Sequence, residues 1–396
     1  MTSSLVWPAG KSAAAAFTFD VDAESAVLWG NEAVAARMSV ISHQAYGPLV
    51  GIPRILDLLD RHQIPATFFV PGHTAHRYPA AVRSIVTAGH EIAHHGYLHE
   101  QPTALTLEQE NEALDRGLDA LAEVAGVRPV GYRAPMWDLS WHTPGLLAER
   151  GFLYDSSLMD ADHPYELAVG DGSLVEIPPI QWALDDWEQY CYLPDISGSG
   201  LIESPRKARE LWQLEFEALR DAGACWVLTN HPFLSGGRAS RAVELGDLMR
   251  HVVEHDQVWT TNLAPSPSTS GRWGLEPPAA SRGRRRLPAG RCDSDPALHD
   301  RVQQAGGDAV ERLADTAIRG SDTHRSGACR RQHPVRGLLG RQAGMPRKAR
   351  SVRSSVSSPA VEQRRRMHTL ARPLGLGDPA DRGQRGLRRL IRAEQR

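Results

Sequence analysis

Short apolar runs of β type alternate with longer stretches whose apolar residues recur at helical spacing, from the first run at residues 14–19 to a last one at 258–261. Residues 14–19 are apolar except for Thr18 and predict a buried strand running into Asp20. Ile52, Ile55, Leu56 and Leu59 share one helical face, with Pro53 acceptable in a first turn. Residues 66–70 predict a strand stopped by Pro71-Gly72, residues 80–87 a helix that Gly89 can cap, and the segment through Ile92 another strand. A long acidic helix is predicted over 105–124, with Leu114, Leu118 and Leu121 on one face. Strands follow at 129–133, 152–154 and 174–177, then a helix over 202–220, a strand at 225–228 and a helix over 242–254.

Repeated strand–helix alternation implies a largely parallel sheet, closed or open. A β/α barrel of about seven strands is the expected fold, because the reactive residues fall at the C-terminal ends of strands, where barrel enzymes place their sites. An open doubly wound sheet is the second choice.

Composition changes the picture past Ala264. Residues 1–264 hold 17 Lys and Arg against 35 Asp and Glu, a net charge of −18, whereas 265–396 hold 28 against 12, a net of +16. Of the chain's aromatic residues only Trp273 lies in the second part. Large apolar side chains offset the entropy of ordering a chain, and this part has almost none. It reads as Arg, Gly, Pro, Ser and Ala without period, so residues 265–396 are expected to be an unfolded tail and 1–264 the catalytic domain. Arg outnumbers Lys 27 to 1 there, the composition that a high-GC coding sequence gives in a shifted frame. Nucleic-acid binding through these Arg clusters is the rival reading from another functional class, and it ranks below an enzyme.

Cys191, Cys225, Cys292 and Cys329 stand singly, with no spacing of a zinc ribbon or disulfide framework, so a reducing compartment is expected. The first residues lack a basic stretch before an apolar core, and no run approaches the roughly 18 apolar residues of a membrane span. The expectation is a soluble, cytoplasmic protein with no membrane partner and with self-association left open.

Candidate chemistry is concentrated in a few segments. Asp20 and Asp22 end the first strand, where alternation points both to one side. His90, His94, His95 and His99 fall within ten residues, and Gly96 argues that the spacing of His95 and His99 spans a loop. One carboxylate and two imidazoles can hold a divalent metal while the other carboxylate acts as a base. Arg133, before the Pro-stiffened Ala134-Pro135-Met136-Trp137, suits bidentate orientation of a carboxylate. His231, at the end of the 225–228 strand, suits protonation of a leaving amine. Trp182 and Trp187 offer aromatic walls, and Asp185 and Asp186 offer carboxylates to tune His231.

These segments, in order, resemble the five motifs of the polysaccharide deacetylase (NodB-homology) superfamily, carbohydrate esterase family 4. The resemblance covers residues 12–264, and the text Gly89-His90-Glu91-Ile92-Ala93-His94-His95-Gly96-Tyr97-Leu98-His99 with Asp155-Ser156-Ser157-Leu158 is similar to a bacterial cytoplasmic branch. That branch includes peptidoglycan-deacetylase-like proteins and cyclic-imide hydrolases. The resemblance implies a distorted (β/α)7 barrel and a hydrolase of non-peptide carbon–nitrogen bonds. It makes Asp20 the catalytic base, Asp22, His95 and His99 the ligands of Zn2+ or another divalent ion, Arg133 the partner of Asp20, and His231 the general acid. The backbone N–H of Met136 would help stabilise the oxyanion, with Trp137, Trp182, Asp185 and Asp186 around the substrate. Ala134 and Met136 replace residues common in many deacetylases, which bears on loop shape and sugar recognition. N-deacetylation of an amino sugar and hydrolysis of a small linear or cyclic amide, including a hydantoin, all fit this scheme.

Overall fold

The computed structural model describes residues 7–264, apart from 171, 180–181, 194–195, 199–201 and 237–238. The expected unfolded tail at 265–396 lies outside the described residues. The strands are β1 (Ala13–Asp20), β2 (Thr67–Val70), β3 (Glu91–His94), β4 (Gly131–Tyr132), β5 (Tyr154–Asp155), β6 (Tyr165–Val169), β7 (Gly172–Glu176), β8 (Tyr192–Leu193), β9 (Ser197–Gly198), β10 (Cys225–Asn230) and β11 (Val258–Thr260). The helices are α1 (Ser25–Leu28), α2 (Met38–Tyr46), α3 (Ile52–His62), α4 (Gly72–Arg77), α5 (Pro79–Thr87), α6 (Leu107–Ala125), α7 (Thr143–Glu149), α8 (Asp186–Tyr190), α9 (Pro205–Asp221) and α10 (Ala239–Val253).

The main sheet runs β10-β1-β2-β3-β4-β5-β7-β6. Its first seven strands are mutually parallel, and β6 adds an antiparallel edge. The sheet curls into a half-barrel, the distorted barrel that the family resemblance implies. Beyond β10 the ladder thins to a single parallel bridge between Asp185 and Thr229. β11 pairs with Ala13–Ala15 at the start of β1, leaving Thr18–Asp20 to pair with β2.

The core explains the order. All eight residues of β1 are buried, as a strand covered on both faces must be. Phe17 and Phe19 pack with Phe68, Trp226 and Leu228 and with the apolar faces of α3, α5, α9 and α10. α6 begins with a reciprocal capping box between Thr106 and Gln109 and ends on Gly126 at φ 66°. Its Leu114, Leu118 and Leu121 are buried, as their spacing predicts.

Two predicted strands are shorter or shifted. The run at 129–133 yields only Gly131–Tyr132, because the chain turns at Arg133 toward Pro135. That at 152–154 becomes Tyr154–Asp155. Gly131 permits a close crossing, since a Cβ there would lie 1.9 Å from the Tyr154 ring. At Pro71-Gly72 the strand does stop, but α4 starts at once, and a Cβ on Gly72 would meet the Tyr97 ring at 2.7 Å. At the other end, Leu263 is fully buried, its N–H donating to Thr67 Oγ1 at 2.8 Å, and Ala264 N–H donates to Glu91 Oε2 at 2.8 Å. The folded body thus continues through residue 264. Among the described residues no helix is long and apolar enough to cross a membrane.

Candidate active site

The ends of β1, β3, β4 and β10 converge on one buried cluster. Asp20 closes β1 and Asp22 follows it, held by the Thr74 hydroxyl, which donates to the Asp22 carbonyl at 2.7 Å. His95 follows β3 directly. The loop to His99 is shaped by Glu100, whose carboxylate accepts the N–H groups of Tyr97 and Leu98 at 2.9 and 2.8 Å. Gly96 at φ 73° and His99 at φ 63° take the left-handed backbone this turn requires. The four-residue spacing therefore spans a loop, as the glycine predicts.

Asp22 Oδ1 lies 3.4 Å from His95 Nε2, and Oδ2 lies 3.4 Å from His99 Nε2. His95 Nδ1 donates to the Arg133 carbonyl at 2.7 Å, which leaves the Nε2 lone pair facing the carboxylate. Burial is the main reason the His95 pKa is pushed down to about 3, so the imidazole is neutral. Asp22 Oδ1 is buried without a hydrogen-bond donor among the described residues. Lone pair against carboxylate is repulsive unless a cation lies between them. Asp22, His95 and His99 thus have the donor set and convergence that suit a divalent metal.

Asp20 stands beside this trio. Its Oδ1 accepts from Arg133 Nη1 at 2.8 Å, and its Oδ2 lies 3.9 Å from His95 Nε2. Arg133 is fully buried and fixed on several sides. Nη1 also donates to Thr18 Oγ1 at 3.0 Å, Nε to the Ser156 carbonyl and Nη2 to Ser156 Oγ at 3.1 Å each, and the guanidinium carbon sits 4.1 Å from the Phe69 ring centroid. The contact with Asp20 is single-toothed, through Nη1, rather than the bidentate fork expected from the sequence.

His231 approaches from the opposite side, with Nε2 3.5 Å from Asp22 Oδ2. Its Nδ1 donates to Asp186 Oδ1 at 2.7 Å and lies 3.5 Å from Asp185 Oδ1. Asp186 also accepts the N–H groups of His231 and Ser235. Asp185, Asp186 and His231 form a second convergent group of possible metal donors, but the Asp186 oxygens are already spent on holding His231. Burial alone would lower the His231 pKa. The carboxylates of Asp185, Asp186 and Asp22 outweigh it and push the value up to about 10, while burial lifts Asp185 to about 7.

Met136 and Trp137 follow Arg133 and both adopt positive φ, 60° and 54°. Trp137 is buried and faces the half-exposed Trp182, ring centroids 4.8 Å apart. Of the eleven residues given roles, Asp20 closes β1, Asp186 opens α8 and the other nine lie in loops and short 3-10 turns, whereas His90 precedes β3 at the other end of that strand. Others were not foreseen. Thr18 and Ser156 fix Arg133. His94 Nε2 donates to the Leu114 carbonyl at 3.0 Å while its Nδ1 accepts Gly96 N–H at 3.1 Å, so it anchors the His95–His99 loop. His94 was visible only as part of the His-rich run; hydroxyls within or after strands carry no such signal.

A polysaccharide deacetylase family model matches residues 46–152. A peptidoglycan deacetylase of Helicobacter pylori is 34% identical over 248 residues, 56% of this chain and 84% of that protein. The chain belongs to the polysaccharide deacetylase family. It is a hydrolase of the deacetylase type, acting on carbon–nitrogen bonds. Among solved structures, a Mycobacterium smegmatis protein classed with the polysaccharide deacetylases is 63% identical, with a TM-score of 0.64 over 65% of this chain and 89% of its own. The allantoinase PuuE is 27% identical, with a TM-score of 0.57 over 65% of this chain and 89% of its own.

Proposed function

We propose that the chain is a metal-dependent hydrolase of non-peptide carbon–nitrogen bonds, acting on an N-acetylated amino sugar or on a small linear or cyclic amide. The observation that carries this reading is the convergence of two imidazoles on the Asp22 carboxylate, whose Oδ1 has no donor among the described residues, with Asp20–Arg133 and His231–Asp186 beside it. Asp22, His95 and His99 would hold Zn2+ or another divalent ion. Such an ion supplies Lewis acidity toward a carbonyl and acidifies water.

The remaining chemistry belongs to side chains. Arg133 occupies Asp20 Oδ1, so Oδ2 is the oxygen left to take a proton from the attacking water. Asp186 occupies His231 Nδ1, so Nε2 is the nitrogen that delivers a proton to the departing amine. The Met136 backbone N–H is our candidate for stabilising the oxyanion, and the Trp137–Trp182 pair with Asp185 is our candidate substrate wall. Cyclic imides or hydantoins are the second substrate reading, supported by the likeness to an allantoinase. The buried free thiols of Cys191 and Cys225 suit a reducing compartment, which supports an intracellular site of action and a soluble substrate.

The test is a panel of N-acetylglucosamine oligomers, hydantoins, succinimide-type rings and 4-nitrophenyl acetate, run with and without a chelator. Turnover of at least one amide or imide, abolished by chelation and restored by metal, is expected. In His231→Ala the amide rate should fall by about 10²–10⁴-fold and the activated ester far less, because nitrophenolate leaves without a proton. Equal losses on both would make His231 structural.

The catalytic unit is proposed to be residues 1–264, with 265–396 dispensable. Cutting after Ala264 keeps the Leu263 and Ala264 hydrogen bonds that close the folded body. Metal content, turnover and melting temperature should be unchanged once salt screens the opposite charges of the two parts. A fall in melting temperature that persists at moderate salt would contradict this.

A further inference from the structure

Asp155 and Glu176 are register partners on the parallel strands β5 and β7, and both are buried. Two carboxylates side by side in a sheet repel, and burial makes a double charge costlier still. Each has one oxygen committed. Asp155 Oδ1 accepts from Ser157 Oγ at 2.8 Å. Glu176 Oε1 accepts the N–H groups of Ser157 and Leu158 at 3.0 and 2.9 Å. The other two oxygens, Asp155 Oδ2 and Glu176 Oε2, are buried with no hydrogen-bond partner among the described residues.

The segment they hold is the one that fixes Arg133. Ser156 takes two of its guanidinium hydrogen bonds, and Ser157 Oγ accepts Ala134 N–H at 2.9 Å. We infer that Asp155 and Glu176 share a single proton between their facing oxygens, and that this acid–carboxylate pair is a positioning device for Arg133 and hence for Asp20. Burial pushes the Asp155 pKa up to about 6 and that of Glu176 well above the carboxylate range, in keeping with one proton retained at neutral pH. The polar groups facing the pair are Arg133 and Tyr132 from the β4 side and Tyr165 opposite Glu176 on β6.

The positioning role rests on the proposed function of Asp20; the shared proton does not. An amide can replace the protonated carboxyl in such a pair, because its NH2 donates where the acid O–H did. Glu176→Gln would keep Oε1 on the two backbone N–H groups and point NH2 at Asp155, and Asp155→Asn would do the converse. The double variant would set NH2 against NH2. Each single variant should therefore retain wild-type turnover of 4-nitrophenyl acetate and wild-type metal content. The double should lose about 100-fold in kcat, with KM and metal content little changed, as a displaced Arg133–Asp20 pair would.

Unfolding supplies a readout independent of catalysis. A carboxyl whose pKa is raised by folding loses stability as pH climbs from its unfolded value, 4.5 for Glu, through its folded one. Glu176→Gln has no such proton to lose, so its melting temperature should gain on wild type steadily as pH rises over that range. A constant difference, or singles as damaged as the double, would overturn the shared proton. A double variant that folds, keeps metal and turns over normally would overturn the positioning role. Loss of turnover in Asp20→Asn alone tests the base assignment separately, so the two failures can be told apart.

Discussion

His95→Ala and His99→Ala are each expected to strip the metal and nearly all turnover while leaving the barrel folded. Neither ring belongs to the apolar core; each contributes an Nε2 facing Asp22 at 3.4 Å. Even outer partners of metal ligands typically change affinity by about 10–100-fold, so loss of a direct ligand from a three-residue set should cost at least that much. The cost to folding should be mainly the stabilisation that a bound metal adds. At a hundredfold excess over its dissociation constant that is about 3 kcal/mol, or about 5–10 °C for a body of this size. Elemental analysis, far-ultraviolet circular dichroism and turnover on the same samples check this. Stoichiometric metal in either variant would remove that histidine from the ligand set.

Asp20→Asn should separate base from ligand. The amide oxygen can still accept from Arg133, but the NH2 standing for Oδ2 has no lone pair for a proton. Turnover should fall by about 10²–10⁴-fold, the usual worth of a general base, with metal content unchanged. A second effect is expected on stability. Arg133 is fully buried and would lose its charged partner, a loss of the kind that costs about 3–5 kcal/mol. Rates should therefore be read well below the melting temperature. If metal leaves together with activity, Asp20 is a ligand and the base lies elsewhere.

The fold was most legible where burial is complete. β1, β2 and β10 are covered on both faces, so they read as mainly apolar runs, and α3, α6 and α9 carry plain helical stripes. Legibility failed where tertiary contacts decide. β4 and β5 shrink to two residues each because Tyr154 crosses over Gly131 and the chain must turn at Arg133. α2 has no strong stripe and rests against the 47–51 π turn. Of the β6–β7 hairpin only the second strand was read, at 174–177; β6 was missed although Gly170-Asp171-Gly172 between strand-like runs is a turn signal.

The site divides similarly. Paired Asp and clustered His mark chemistry by residue type and spacing alone. Thr18, Ser156, Asp155 and Glu176 do not, since a hydroxyl or carboxyl in a strand looks like surface until the sheet curls around it. Arg133 shows both sides. Its place before a Pro-stiffened loop pointed to a carboxylate partner, but the single-toothed contact arises because Ser156 and Thr18 take its other N–H groups.

The most direct test of the metal-centred account is zinc titration of chelator-treated protein, followed by isothermal calorimetry, for the wild type beside Asp22→Ala. The account predicts one ion bound per wild-type chain and no comparable binding in the variant. Equal binding by both proteins, or none by the wild type, would contradict it.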